Sequence, residues 1–203
     1  PYFQCKDIML KYGVKVFSSN YHLYGDMSYR VMETFREIMG GKDFVEVYSV
    51  DEAFLDFNSV PEKDILIKAK ELKAVTEQWT GIPICVGVSV NKLLSKVANK
   101  LAKKNKQKTG GVYVLATDED ICNALMDFPV EDIWGIGRRY AYKLRSWNIN
   151  TAWQLRNLPE EWVRKNFGGI VGVRLLRQLK GEEISEIKTP LVSKKMIATT
   201  RMF

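Results

Sequence analysis

The stretch Phe44-Val-Glu-Val-Tyr48-Ser-Val-Asp51-Glu52-Ala-Phe-Leu-Asp56-Phe57 decides how this chain folds. Phe44 to Val50 and Ala53 to Phe57 are short β-rich runs separated only by Asp51-Glu52, the pattern of a tight hairpin or a bulged corner. On a regular strand adjacent residues point to opposite faces, so two neighbouring acids could share no ligand. At a corner the alternation breaks, and both carboxylates can converge beside Val50, Ala53, Phe54 and Leu55, which would partly desolvate them. Like charges so placed repel unless a cation neutralises them, and a Mg2+ between a triphosphate and a nucleophile would do so. The same dipeptide also reads as a solvated turn, and residue type alone favours that reading, since Asp-Glu is common in turns.

Around the hairpin the pattern alternates between strand and helix. Residues 14–18 (VKVFS) alternate as a strand does, and 21–39 has apolar residues at Tyr24, Met27, Val31, Phe35 and Ile38, a helical spacing stopped by Gly40-Gly41. Asp26 reads as a helix cap, and His22, the single histidine, as packing or surface. Residues 61–79 predict a long helix with Pro61 in its first turn. Ile84 to Val90 predicts a strand buried on both faces. Asn91 is a natural cap for a helix reaching about Asn105. Gly110-Gly111 then turns the chain into a strand at 112–115. This is an α+β layer of helices against a sheet. After Thr117 come short helices broken by Pro129, Gly135, Gly137, Pro159 and Gly168-Gly169, so a domain boundary is expected near 117. Val171, Val173, Leu175, Leu176 and Leu179, with Trp162 and Phe167, predict the core of a second hairpin. From Lys188 the sequence has no helical period and resembles a linker.

The formal charge of +7 is local. Seven lysines (92, 96, 100, 103, 104, 106 and 108) and no acid lie between Asn91 and Thr109, and the remaining chain balances at 24 basic against 24 acidic residues. A second acid-free stretch, 133–159, carries Arg138, Arg139, Lys143, Arg145 and Arg156. Two basic surfaces suggest a polyanion, most commonly nucleic acid. No apolar run reaches the ~20 residues that span a bilayer, and no signal-peptide pattern is present. Cys5, Cys85 and Cys122 are far apart, which points to a reducing compartment, read as the cytoplasm, and away from zinc or a disulfide framework. With one histidine, any metal would sit on oxygen ligands, as magnesium does. A chain opening on Pro1 is expected to be part of something longer.

On the helix after Asn91, residues 93, 94, 97, 98, 101 and 102 form an apolar face, while Lys92, Lys96, Lys100 and Lys104 form an i,i+4 stripe. Like charges at that spacing cost roughly 0.2–0.5 kcal/mol per pair. With no acid interleaved, an external anion would relieve them; the other account is a solvated face. In Asp132-Ile-Trp-Gly-Ile-Gly-Arg-Arg-Tyr-Ala-Tyr-Lys-Leu-Arg-Ser-Trp-Asn148, Gly135 and Gly137 would let backbone approach a phosphate at a helix N-terminus. Arg138 and Arg139 oppose the helix dipole there, which a bound phosphate would cure. Asn148 suits a left-handed cap. Such contacts would grip a backbone without reading its sequence; the alternative is an ordinary glycine-broken αα turn.

Tyr48-Ser-Val-Asp-Glu-Ala-Phe-Leu-Asp56 resembles the acidic motif of Y-family (translesion) DNA polymerases, with Val50 where Ile is usual. Gly87-Val-Ser-Val-Asn-Lys-Leu-Leu-Ser-Lys-Val-Ala98 is similar to the palm strand and helix of the same family. The pair Lys103-Lys104, with Thr109-Gly-Gly-Val, resembles the UmuC type; Lys100 stands where the wider family commonly has an acid. The stretch from Asp132 resembles a helix-hairpin-helix. The resemblance implies a palm-type sheet with packed helices followed by a small all-α helix-hairpin-helix thumb. It assigns 1–13 to the end of the fingers, 14–117 to the palm without its first strand, 118–187 to the thumb and 188–203 to the start of a linker to a little-finger domain. It implies Asp51 and Glu52 as catalytic metal ligands and Lys103 on the incoming triphosphate. Lys92, Lys96, Gly135, Gly137, Arg138, Arg139 and Lys143 become candidate DNA contacts. The family's third metal ligand and its sugar-selecting residue are expected upstream, so the 203 residues alone are expected to be inactive.

The implied activity is error-prone, template-directed synthesis past damaged bases (SOS mutagenesis) by nucleotidyl transfer with two Mg2+. The implied partners are primer-template DNA, dNTP, a UmuD-type subunit, the recombinase filament and the sliding clamp, with no membrane. Two rivals are a palm-type nucleotidyl cyclase, which template dependence would exclude, and a non-catalytic DNA-binding module, which metal titration would separate.

Overall fold

Residues 2–184 and 187 are described by the structure, a computed structural model, and they open with helix α1 (Tyr2–Lys11), in which no residue is buried. The strand expected at 14–18 does not form: this segment is irregular, and Val14, Val16 and Phe17 are exposed. An alternating pattern becomes a strand only against a partner, and none of the described strands runs beside it. Helix α2 (Tyr21–Met39) has the expected span. Asn20 caps it by accepting from the Leu23 N–H at 3.0 Å, and Gly40 ends it at φ +82°. Asp26, expected to cap, lies inside the helix and pairs with Arg30 at 2.9 Å.

Strands β1 (Val45–Val47) and β2 (Ala53–Leu55) form an antiparallel hairpin with Val45 opposite Leu55 and Val47 opposite Ala53. They are shorter than expected because the corner takes five residues, 48–52, in which Tyr48 N–H and Ser49 N–H both donate to the Glu52 carbonyl at 3.0 Å. After Pro61 a single 3-10 turn leads into α3 (Ile65–Thr80). Val31, Met32 and Phe35 of α2, Val45 of β1 and Leu72 of α3 make one core.

Strand β3 (Val86–Ser89) continues through α4 (Lys92–Lys104) and the short α5 (Lys106–Thr109) to β4 (Val112–Leu115), which runs parallel to β3. Asn91 caps α4 by accepting from the Leu94 N–H at 2.9 Å. The helix lies flush on β3: a Cβ on Gly87 would stand 2.1 Å from the Asn99 amide nitrogen. The expectation that this strand is buried on both faces fails. All four of its residues are half-buried, because α4 covers one face and a cleft runs along the other. Among the described residues β2 pairs only with β1 and β3 only with β4.

A second core begins with Leu93, Leu94, Val97 and Ala98 of α4 and runs through Leu115 into the helices that follow. These are α6 (Asp118–Met126), α7 (Arg138–Ser146), α8 (Ala152–Arg156), α9 (Glu160–Asn166) and α10 (Gly169–Leu179). Element type changes at Thr117, whose capping box opens α6, while the packing is continuous across it. The hydrogen bond from Thr117 holds the Asp120 carboxyl below its usual range. Asn148 takes the left-handed conformation expected of it, at φ +59°. Val173, Leu175, Leu176 and Leu179 are buried as expected, but Val171 is exposed, about 200° around the helix from Val173 at 100° per residue. The linker expected from Lys188 lies outside the described residues.

Gly87→Ala should lower the unfolding free energy measured in urea by about 1–3 kcal/mol, and the midpoint with it, because neither backbone can yield to the added methyl. An unchanged midpoint would show that α4 does not rest on β3 as described.

Candidate functional site

The five-residue corner lifts Asp51 and Glu52 out of strand alternation, so both line one cleft of about 1050 Å3 with Lys103, Lys96 and Asn99. Asp51 is exposed and accepts from the Ser49 hydroxyl at 2.6 Å, while its N–H donates to that hydroxyl at 3.3 Å. Glu52 is half-buried, and its Oε1 is bound by the Lys96 ammonium at 2.5 Å. Lys103 is exposed in the last turn of α4. Among the described residues no three or more His, Cys, Asp or Glu side chains gather into a metal-holding group.

The lysine stripe differs from its expectation. Lys92 is buried and pairs with Glu46 of β1, Lys96 pairs with Glu52, and Lys100 pairs with Asp132, each at 2.5 Å. For these three lysines of the stripe the relieving anions come from the protein itself, from the hairpin and from the turn before α7. Lys92 and Lys96 thus meet acids of the protein itself rather than forming a free cationic face, and those acids lie 46 and 44 residues away, beyond any helical-spacing argument.

Sequence reasoning missed a cluster of three rings. Tyr48 and Phe54 of the hairpin meet Trp134, with centroids 5.5 Å (Tyr48) and 5.7 Å (Phe54) from that indole and 5.7 Å from each other. The Lys92 ammonium stands 5.3 Å from the Phe54 ring, and that of Lys96 stands 5.5 Å from Tyr48 and 5.8 Å from Trp134. An aromatic residue flanks the acids, and another flanks Gly135. That adjacency was the only available signal, and it does not say that the two ends meet.

At the glycine turn, Gly135 needs its freedom, with φ +95°. Gly137 has an ordinary φ of −80°, and a Cβ there would meet nothing within 4 Å. It is the N-cap of α7 and contributes no side-chain hydrogen bond; the first turn holds no acid, and Arg138 and Arg139 are exposed. Lys143 is engaged within the helical part, donating to the Asn166 carbonyl at 3.0 Å and standing 4.9 Å from the Trp147 ring. Glu160 and Arg177 tie α9 to α10 through two hydrogen bonds, and the guanidinium holds the Glu160 carboxyl below its usual range.

Comparison with known proteins bears on both parts. A family model described as the impB/mucB/samB family matches residues 1–100, and one described as the IMS family HHH motif matches residues 118–149. The protein UmuC of Salmonella typhimurium is 39% identical over 204 aligned residues, covering 100% of this chain and 47% of its own length. DNA polymerase IV of Corynebacterium diphtheriae is 29% identical over 97% of this chain and 42% of its own. The chain thus spans about half the length of the curated relatives it matches. Among solved structures, an insertion ternary complex of Dbh DNA polymerase superimposes with a TM-score of 0.74 at 22% identity, over 93% of this chain and 52% of that one. DinB from Sulfolobus solfataricus gives 0.68 at 24% identity, over 84% of this chain and 48% of that one. At these identities the superpositions speak for the fold.

Lys92→Met should cost about 3 kcal/mol of stability in urea unfolding, since it breaks a largely shielded ion pair between the hairpin and α4. A loss under 0.5 kcal/mol would place the pair in effective contact with solvent.

Proposed function

Because the chain belongs to the impB/mucB/samB family, we propose that it is the palm and thumb portion of a UmuC-type Y-family DNA polymerase, and that the whole protein extends primers past damaged template bases. The observation that carries the reading is the shared cleft: Asp51 and Glu52, brought together by the corner, face the same space as Lys103. Residues 14–117 would be the palm, 118–187 the thumb, and 1–13 the end of the fingers. Among the described residues no other strand pairs with β2 or β3 where they line the cleft, which supports a further palm strand between them, where the family carries its remaining metal ligand.

The donor set fits a hard divalent cation, with carboxylate oxygens on neighbouring residues. Asp51 and Glu52 would hold it. Magnesium bound there would stabilise charge developing on a transferring phosphoryl group. Lys103 would hold the triphosphate by charge, turning the nucleotide towards the primer end. In the thumb, the free N–H groups of α7 with Arg138 and Arg139 would bind duplex phosphates. Gly137 supports this, because neither its φ nor its packing calls for glycine, and the open space before it leaves room for a backbone to approach. Such a grip is indifferent to sequence, as copying any template demands. The UmuD-type subunit, recombinase filament and sliding clamp follow from the family resemblance alone.

One observation favours a second reading, a DNA-binding module whose acids are structural: Glu52 is already neutralised by Lys96. Calorimetric titration with Mg2+ or Mn2+ separates the two. Asp51→Ala should weaken binding at least about tenfold, the scale on which even an outer-shell partner acts, and equal heats in both proteins would favour the module.

Gly137→Asp tests the thumb. Asp is a good N-cap at this backbone conformation, so the helix should persist while a negative charge meets the phosphate. Duplex affinity at low salt should fall on the order of tenfold without sequence preference. Unchanged affinity would remove the hairpin from the DNA interface.

A further inference from the structure

We propose that Lys96 is a stand-in cation for the acidic pair: its ammonium holds the Glu52 carboxylate in position and must be displaced from it when a divalent cation binds. The inference rests on the reading of Asp51 and Glu52 as a cation site, and assigns a positioning residue to that site.

The geometry points to this in three ways. Lys96 Nζ lies 2.5 Å from Glu52 Oε1, so the ammonium already holds a cation's place on that oxygen. The pair is only partly shielded, with side chains 21% and 34% exposed, so the contact is open to exchange. Lys92, one turn away on the same helix, is locked into its pair with Glu46, with side chains 9% and 13% exposed. The two lysines therefore differ in kind, one clamping the hairpin and the other charge-matching its acid.

A displaced ammonium also has somewhere to go. It already stands within cation–π range of Tyr48 and Trp134, at 5.5 and 5.8 Å. The Lys96 side chain needs only to release Glu52 and keep to the rings. Trp134 directly precedes Gly135, so the rings that would receive the charge also pack the glycine turn against the acidic corner. Glu52 therefore has a counter-charge whether or not a metal is present, which spares the corner the repulsion of two bare neighbouring carboxylates.

Two cations competing for one carboxylate are linked reciprocally. Removing the charge of Lys96 must then strengthen metal binding, whereas a lysine that merely supported the fold would weaken it or leave it alone. The test is Mn2+ titration, by calorimetry and by the electron paramagnetic resonance of free Mn2+, on the 203-residue chain and its variants. Lys96→Met keeps the length and packing of the side chain and should tighten Mn2+ roughly tenfold, the scale of one unscreened charge at close range. Lys96→Arg keeps the charge and should stay within about twofold of the wild type. Melting curves of both variants report whether the fold is kept.

If Lys96→Met binds Mn2+ as the wild type does, or more weakly while still folded, the stand-in role is overturned and the cation site survives. If the wild type takes up no Mn2+ that Asp51→Ala removes, the cation site itself fails, and this role falls with it.

Discussion

The Lys92 ammonium clamps the β1–β2 hairpin onto α4, and that of Lys96, one helical turn away, charge-matches the acid at the hairpin's corner. Everything else of interest is arranged around that contact. The hairpin is two strands of three residues, too short for independent stability in water. Its backbone supplies the corner that turns Asp51 and Glu52 the same way, but its position depends on what it docks against. Glu46 on β1 and Glu52 at the corner reach the same helix, and the Phe54 ring beneath Lys92 extends the contact with an apolar surface.

The two ion pairs have different consequences. Exposed pairs contribute 0–1 kcal/mol, and buried ones bring a desolvation cost that attraction only offsets when the geometry is good. Lys92–Glu46 belongs to the second class: it adds little net stability over an apolar pair, yet it joins two different elements at one point, so it specifies where the hairpin sits. Lys96–Glu52 lies nearer the surface and leaves its carboxylate accessible from the cleft. A helix with one pinned and one exchangeable lysine can hold a loop still while leaving its acid available.

Helix α4 has a third duty. It meets β3 through Ser95 and Asn99, whose backbone approaches Gly87, while its apolar face continues into the core of α6 to α10. The acidic corner and the glycine turn are thus registered through one rigid element, with Trp134 closing the gap from the other side. On the polymerase reading proposed above, that shared helix and aromatic contact would fix the distance between the part that holds the duplex and the part that does the chemistry.

The sequence by itself determined whatever depends on neighbours along the chain. The span of α2, the Asn91 cap, the break at Gly40, the left-handed Asn148 and the acidic corner were legible because periodicity, capping and turn chemistry act over a few residues. The family was legible from nine contiguous residues around Asp51 together with the glycine turn. Tertiary structure alone decided which charges meet. The lysines of α4 read as a free cationic stripe because their acids, Glu46, Glu52 and Asp132, lie on other elements, and no local pattern encodes a contact across more than 30 residues. The segment at 14–18 alternates like a strand and forms none, since a strand exists only where another edge pairs with it. The half-burial of β3 and the ring cluster of Tyr48, Phe54 and Trp134 have the same origin: burial belongs to surfaces brought together, and the chain must fold before those surfaces exist.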